Sequence, residues 1–270
     1  MIILRQKLYS SKKKKKDNKK EDSTGKKAGL GLVAGGMGMN TFHASRFQRH
    51  SRDLEKDPKY ASESKSITEK LKQEAKNRGV SIDETTRTNK GPLYHIQQDK
   101  VYLDGSNNGA SLSHELGHRH YFKEKGAGKI GKAAHKGYKY TGGALSHMAV
   151  SPVSAHFAGK ASGKSKARKE ENEEKESKLG KAAPIATPLL VSTPGLVSEA
   201  AASRKGMKML RKAGASKEML KKSNKTLGHA FGTYAALNAA NAGVGLLSKN
   251  RAYKREKRKI EEEKEKKDNK

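Results

Sequence analysis

The sequence predicts a mainly α protein with a small β-sheet, an α+β chain, on three observations. Apolar residues recur at helical spacing after Ser66, after Val197 and after Thr226. Only two short runs, Leu93-Tyr94-His95-Ile96 and Val101-Tyr102-Leu103, have strand-like composition. Between these groups stands Ser111-Leu112-Ser113-His114-Glu115-Leu116-Gly117-His118-Arg119-His120, whose two histidines four apart share one face of a helix.

Taken in order, residues 1–27 are a basic, low-complexity arm expected to be disordered. Residues 28–65 form a Gly-rich apolar segment and a polar linker, in which Gly31 and Gly35 have the small-xxx-small spacing of close-packed helices. Ser66-Ile67-Thr68-Glu69 reads as a capping box, Ile67, Leu71 and Ala75 follow on one stripe, and Gly79 stops the helix. The two strands come next, with Gln98-Asp99 as their turn. After Gly105-Ser106-Asn107-Asn108-Gly109 the motif helix begins. Two apolar runs, 141–159 and 182–197, flank a charged insertion at about 160–181 and read as a degraded helical hairpin. A helix from Val197 ends near Gly214, and Ser216 caps another. Gly228, Gly232, Ala236 and Ala240 then recur every four residues as a narrow ridge. The expected organisation is one domain over 66–248 and a charged tail over 249–270.

Composition narrows the chemistry. The 270 residues carry 59 Lys+Arg against 28 Asp+Glu, a net charge of +31, which favours anionic partners: an acidic membrane surface, or nucleic acid through the basic tails. There is no Cys, so disulfides, thiolate metal sites and thiol nucleophiles are excluded. Any metal must be held by His and carboxylate. No run offers 18 strongly apolar residues, and the start is not a secretion signal.

The pattern His-Glu-x-x-His in a chain with 10 His is expected by chance only about 0.04 times, even with every acidic residue counted as Glu. His114 and His118, a turn apart, suit two imidazole ligands of one Zn²⁺. Glu115, roughly 100° around the helix, falls beside the metal, where a carboxylate serves as general base. His120 faces away from that side. His147, His156 and His229 sit in apolar runs and read as satisfied core histidines.

With those residues quoted, the layout resembles the YugP-type neutral zinc metallopeptidases, membrane-associated bacterial enzymes of the gluzincin-like class. The resemblance rests on His114-Glu115-Leu116-Gly117-His118 and on Glu199-Ala200-Ala201-Ala202-Ser203-Arg204-Lys205-Gly206, which matches the family's second helix. The Tyr234-Ala235-Ala236 run is similar to its last helix. The resemblance covers residues 66–248 in layout and implies a zincin-like helical core, Zn²⁺ held by His114, His118 and Glu199, and Glu115 as catalytic base. It also implies a polypeptide substrate and a membrane location, with the cytoplasm as the alternative. Plainly hydrophobic spanning helices are typical of the family, whereas the runs here are broken by Pro, His and Asn.

Chemistry supports Glu199 as well. A catalytic zinc needs a third protein ligand, which without Cys is a carboxylate or another His. Glu199 stands alone on an otherwise uncharged helix start, and its flanking alanines permit close helix approach. Ser203, one turn on, shares its face and can orient a ligating side chain. The competing readings are a nucleic-acid-binding protein, against which stand Phe 5 and Trp 0, and a membrane-surface protein, in both of which the motif is incidental.

Overall fold

The computed structural model describes residues 2–85, 92–103, 108–123 and 144–269, the side chains of 2–25 and 144–150 excepted. The expected turn before the motif helix, except Asn108 and Gly109, and the Gly/Lys-rich stretch at 125–139 lie outside these residues. The elements are α1 (Ile2–Lys56), α2 (Pro58–Asn77), β1 (Ser81–Asp83), β2 (Leu93–His95), β3 (Lys100–Tyr102), α3 (Gly109–Lys123), α4 (Ala144–Glu171), α5 (Lys178–Lys212) and α6 (Lys217–Asp268). The protein is mainly α with one small sheet. Its chain divides into two compact units, Gly38–Ala149 with Ser192–Leu237, and Met1–Met37 with Val150–Val191 and Asn238–Lys270.

In the first of these units, α2 begins at Pro58, upstream of the expected capping box. Asp57 is the N-cap, its carboxylate accepting from the Lys59 N–H at 2.9 Å. An Asp cap followed by Pro, whose φ is already helical and whose missing N–H would be unpaired anyway, starts a helix more strongly than Ser66 does. The stripe Ile67, Leu71 and Ala75 is buried, and Gly79 ends the helix at φ 69°, a conformation costly for residues with a Cβ.

The sheet has order β1-β3-β2, with β1 parallel and β2 antiparallel to β3. Tyr94 and Val101 face each other across the hairpin and are both buried. Its turn contains Asp99 at φ 49°. β1 was not expected, because Ser81-Ile82-Asp83 has one apolar residue and no alternation to read. Asn108, fully buried, caps α3: its Oδ1 accepts from the Ser111 N–H at 2.9 Å. Its amide donates to Ser51 Oγ and Glu55 Oε1 of α1, each at 2.9 Å. The core joins Ile67, Leu71, Tyr94, Val101, Leu103, Leu112, Leu116, Met209 and Leu210 from α2, the sheet, α3 and α5. Gly214, at φ 89°, ends α5. Ser216 caps α6 by accepting from the Met219 N–H at 3.1 Å, while its own N–H and hydroxyl donate to Glu63 of α2.

The other unit is all helical. A Cβ on Gly159 or Gly163 of α4 would strike the α6 backbone at Gly245 and Lys249, and one on Gly245 would strike Pro184 of α5. Backbone contact therefore occurs here, at residues not singled out in the sequence. Within the expected ridge, Gly228 meets nothing but a Cβ on Gly232 would strike the His43 ring; Gly31 and Gly35 of α1 meet nothing. Small-residue spacing marks a surface that permits close approach, but not whether a partner occupies it.

The domain limits differ from the expected ones. Residues 2–27 lie in α1, the charged insertion is helical up to Glu171 and again from Lys178, and the terminal tail continues α6 to Asp268. Lys, Glu and Ala are strong helix formers even where their charge suggests disorder. Opposite charges also hold the tail: Lys264 pairs with Glu171 at 2.6 Å and Arg168 with Glu256 at 2.9 Å. The structure thus divides the expected 66–248 domain between both units. Among the described residues, no helix is long and apolar enough to cross a membrane.

Candidate metal centre

Helix α3 carries His114 and His118 one turn apart, with Nε2 atoms 3.2 Å from each other. Helix α5 brings Glu199 against them. Its Oε2 lies 3.1 Å from His114 Nε2 and its Oε1 3.4 Å from His118 Nε2. These ligand atoms all lie within 4.8 Å of one another, the one group of three His, Cys, Asp or Glu among the described residues so arranged. Tetrahedral ligands about 2.0–2.1 Å from a zinc ion stand about 3.3–3.4 Å apart. The two imidazoles stand 3.2 Å apart and each faces a different oxygen of the Glu199 carboxylate, a donor set that suits such a metal.

The two helices meet with almost no side chain between them. A Cβ on Gly117 would come within 2.9 Å of the Ala202 carbonyl carbon and nearer still to its oxygen. One on Gly206 would stand 2.8 Å from the Ser113 carbonyl oxygen and 3.1 Å from the His114 nitrogen. Glu199, Ala202, Ser203 and Gly206 recur at helical spacing, so one stripe of α5 supplies both the contact and the ligand. Ser203 Oγ lies 3.2 Å from His114 Nδ1 and can fix that ring's orientation. His118 Nδ1 is buried without a hydrogen-bond partner, and its ring stacks on Phe122.

Glu115 points to the sheet side. Its Oε2 accepts the backbone N–H of Tyr94 at 2.7 Å, so β2 holds the carboxylate in place. The hairpin is clamped onto α3 in turn. Asp99 accepts from Arg119 Nε at 2.9 Å and from the Tyr94 hydroxyl at 2.8 Å, and pairs with Lys123 at 3.1 Å. Burial pushes the Asp99 carboxyl up, but its bonds from Arg119, Tyr94 and Lys123 outweigh this and hold it below the usual range.

Burial of Glu199 disfavours its charge, yet the adjacent His118 and His114 hold its carboxyl well below the ordinary range. For His118 burial pushes down, while the Glu199 and Glu115 carboxylates more than offset it and raise the imidazole to about 9. Without a metal, the cluster is a buried ion pair.

The structure thus brings His114, His118, Glu199 and Ser203 together and sets Glu115 beside them on Tyr94. His120 is half-buried outside the group. His156 is exposed rather than in a core, bonding Ser248 Oγ at 2.9 Å. The side chain of His147 lies outside the description. His229 is half-buried among other histidines. Sequence reading missed Gly117, Gly206, the Tyr94 N–H and the Asp99–Arg119 clamp; a Gly inside a helical pattern was the available signal for the first two. Comparison with protein-family models, with curated proteins and with solved structures returns no match.

Two outcomes are expected. Gly117→Ala forces α3 and α5 apart, lowering stability by about 1–3 kcal/mol in a denaturant melt and weakening zinc uptake in a titration. The second concerns pH. In metal-free protein the raised His118 contributes stability that is complete below its ordinary value of 6.5 and is lost as pH rises through about 9. The lowered Glu199 contributes stability above its ordinary 4.5 that is lost in stronger acid. The Tm advantage of wild type over Glu199→Gln should therefore peak between pH 4.5 and 6.5 and shrink towards pH 9. Scanning both proteins in chelator across that range checks it.

Proposed function

We propose that the chain is a zinc-dependent metallopeptidase of the gluzincin type that hydrolyses polypeptides. The observation that supports this best is the convergence of two imidazoles and one carboxylate, with one ligand atom of each within 4.8 Å of the others. The resemblance to YugP-type enzymes points the same way. In this reading His114, His118 and Glu199 hold the ion. Bound zinc supplies a Lewis acid for the scissile carbonyl and makes water acidic enough to lose a proton near neutrality.

The remaining chemistry belongs to the chain. Glu115 takes the proton of the attacking water and returns it to the departing amine. The Tyr94 N–H fixes one carboxylate oxygen of Glu115, which keeps the acceptor from swinging away between the two transfers. Ser203 orients the His114 ring.

Glu115→Gln should retain zinc at His114, His118 and Glu199 while losing most hydrolysis of a casein-like substrate, because an amide cannot accept the water proton. Glu199→Ala should lose at least about tenfold in zinc affinity. Wild-type turnover in the first variant, or unaltered zinc binding in the second, removes the respective residue from its role.

We also propose a surface partner. The net charge of +31, together with exposed Leu179, Leu189 and Leu190 on α5, suits an anionic membrane surface better than a bilayer span. The protein should cosediment with anionic vesicles at low salt and be released in about 1 M salt, where the screening length falls to about 3 Å. Failure to cosediment at low salt counts against this partner.

A further inference from the structure

We propose that His43 and His229 form a second metal-chelating site, distinct from the first, which takes a late first-row divalent ion and clips α1 to α6. The two Nδ1 atoms lie 3.1 Å apart although 186 residues separate them in the chain. Two nitrogens each about 2.0–2.1 Å from one ion stand at that separation or slightly more.

The position is built rather than accidental. A Cβ on Gly232 would lie 2.5 Å from His43 Nδ1 and 2.7 Å from its Cε1, so the absence of a side chain on α6 makes room for the imidazole. His50, two turns along α1 from His43, stacks on His229 with ring centroids 5.3 Å apart and planes 20° apart. This stacking limits rotation of the His229 ring. The His50 Nδ1 faces Asp53 Oδ2 of its own helix at 3.7 Å.

Burial and the local charge favour a neutral His229, the form that binds metal. Burial, then His43, Arg46 and Lys225, hold His229 below the ordinary imidazole range. The Arg46 and Lys225 cations also oppose a divalent ion, and only two protein ligands converge. The site should therefore bind at least about tenfold more weakly than the three-ligand cage. Ligand type restricts the ion: two imidazoles suit Zn²⁺, Ni²⁺ or Cu²⁺, whereas Mg²⁺ and Ca²⁺ require oxygen. The proposal does not rest on peptidase activity.

The test is a titration of the full chain with Zn²⁺ and Ni²⁺, read by calorimetry and by thermal shift. His229→Gln and His43→Gln should each lose one equivalent of the weaker class, leaving uptake at His114, His118 and Glu199 unchanged. Helix content by circular dichroism establishes that each variant is folded. Gly232→Ala keeps both ligands and favours helix, yet should weaken the same equivalent by displacing the His43 ring. Should a histidine variant fail to fold, the Gly232→Ala result decides. Equal stoichiometry and affinity in wild type and the folded variants overturns the proposal and leaves an imidazole–imidazole hydrogen bond only. Loss of zinc in Glu199→Ala reports on the other site alone, so failure of either reading is recognised separately.

Discussion

The backbone contact between α3 and α5 is the constraint on which the candidate centre depends. Side-chain reach is limited: a glutamate on one helix meets two histidine rings on another only if the helix axes come unusually close. Gly117 and Gly206 permit this, since at both positions a single methyl group would collide with main chain of the opposite helix. Glycine inside a helix costs up to about 1 kcal/mol relative to alanine, and two such residues here lie on the facing surfaces next to the ligands. The helices lose intrinsic stability there and gain the approach that the cage requires.

A second restraint acts from the sheet. Three strands of three residues form little independent structure. They are held because Tyr94, Val101 and Leu103 enter the core of α2, α3 and α5, and because Asp99 grips Arg119 and Lys123 of the motif helix. One consequence is local: Tyr94 is fixed by its buried ring, by its hydroxyl on Asp99 and by its N–H on Glu115. The backbone of a short edge strand thus becomes an orienting element for the carboxylate.

Much of this was legible in the sequence, for identifiable reasons. Helical periodicity and the four-residue histidine spacing are local, and the α2 stripe, the β2–β3 hairpin, the Gly79 stop and the Ser216 cap follow from them. Glu199 was legible through its isolation in an uncharged helix and through the resemblance. What failed was of two kinds. The basic arm over residues 1–27 reads as disordered from its charge, although lysine also favours helix and residues 2–27 lie in α1. Small-residue spacing marks Gly31, Gly35 and Gly228, which meet nothing, and Gly232, which does face the His43 ring; further close contacts fall at Gly117, Gly206, Gly159 and Gly245. Whether a glycine is used depends on what folds against it, and that is information from the other end of the chain.

The burial of the cluster bears on its use. Glu199, His114 and Glu115 are each less than a tenth exposed. Removing an ion pair from water costs several kcal/mol per charge after relaxation, which mutual attraction returns only in part. Well-packed apolar residues on the same stripes would join α3 and α5 more firmly. Moreover, the two Nε2 atoms lie 3.2 Å apart and both face the Glu199 carboxylate, His114 on Oε2 at 3.1 Å and His118 on Oε1 at 3.4 Å. These features are costly for a helix contact and natural for a ligand set, whose nitrogens and oxygens must point to a common centre. On the proposed reading, these groups hold a cation between the helices rather than serving to hold the helices together.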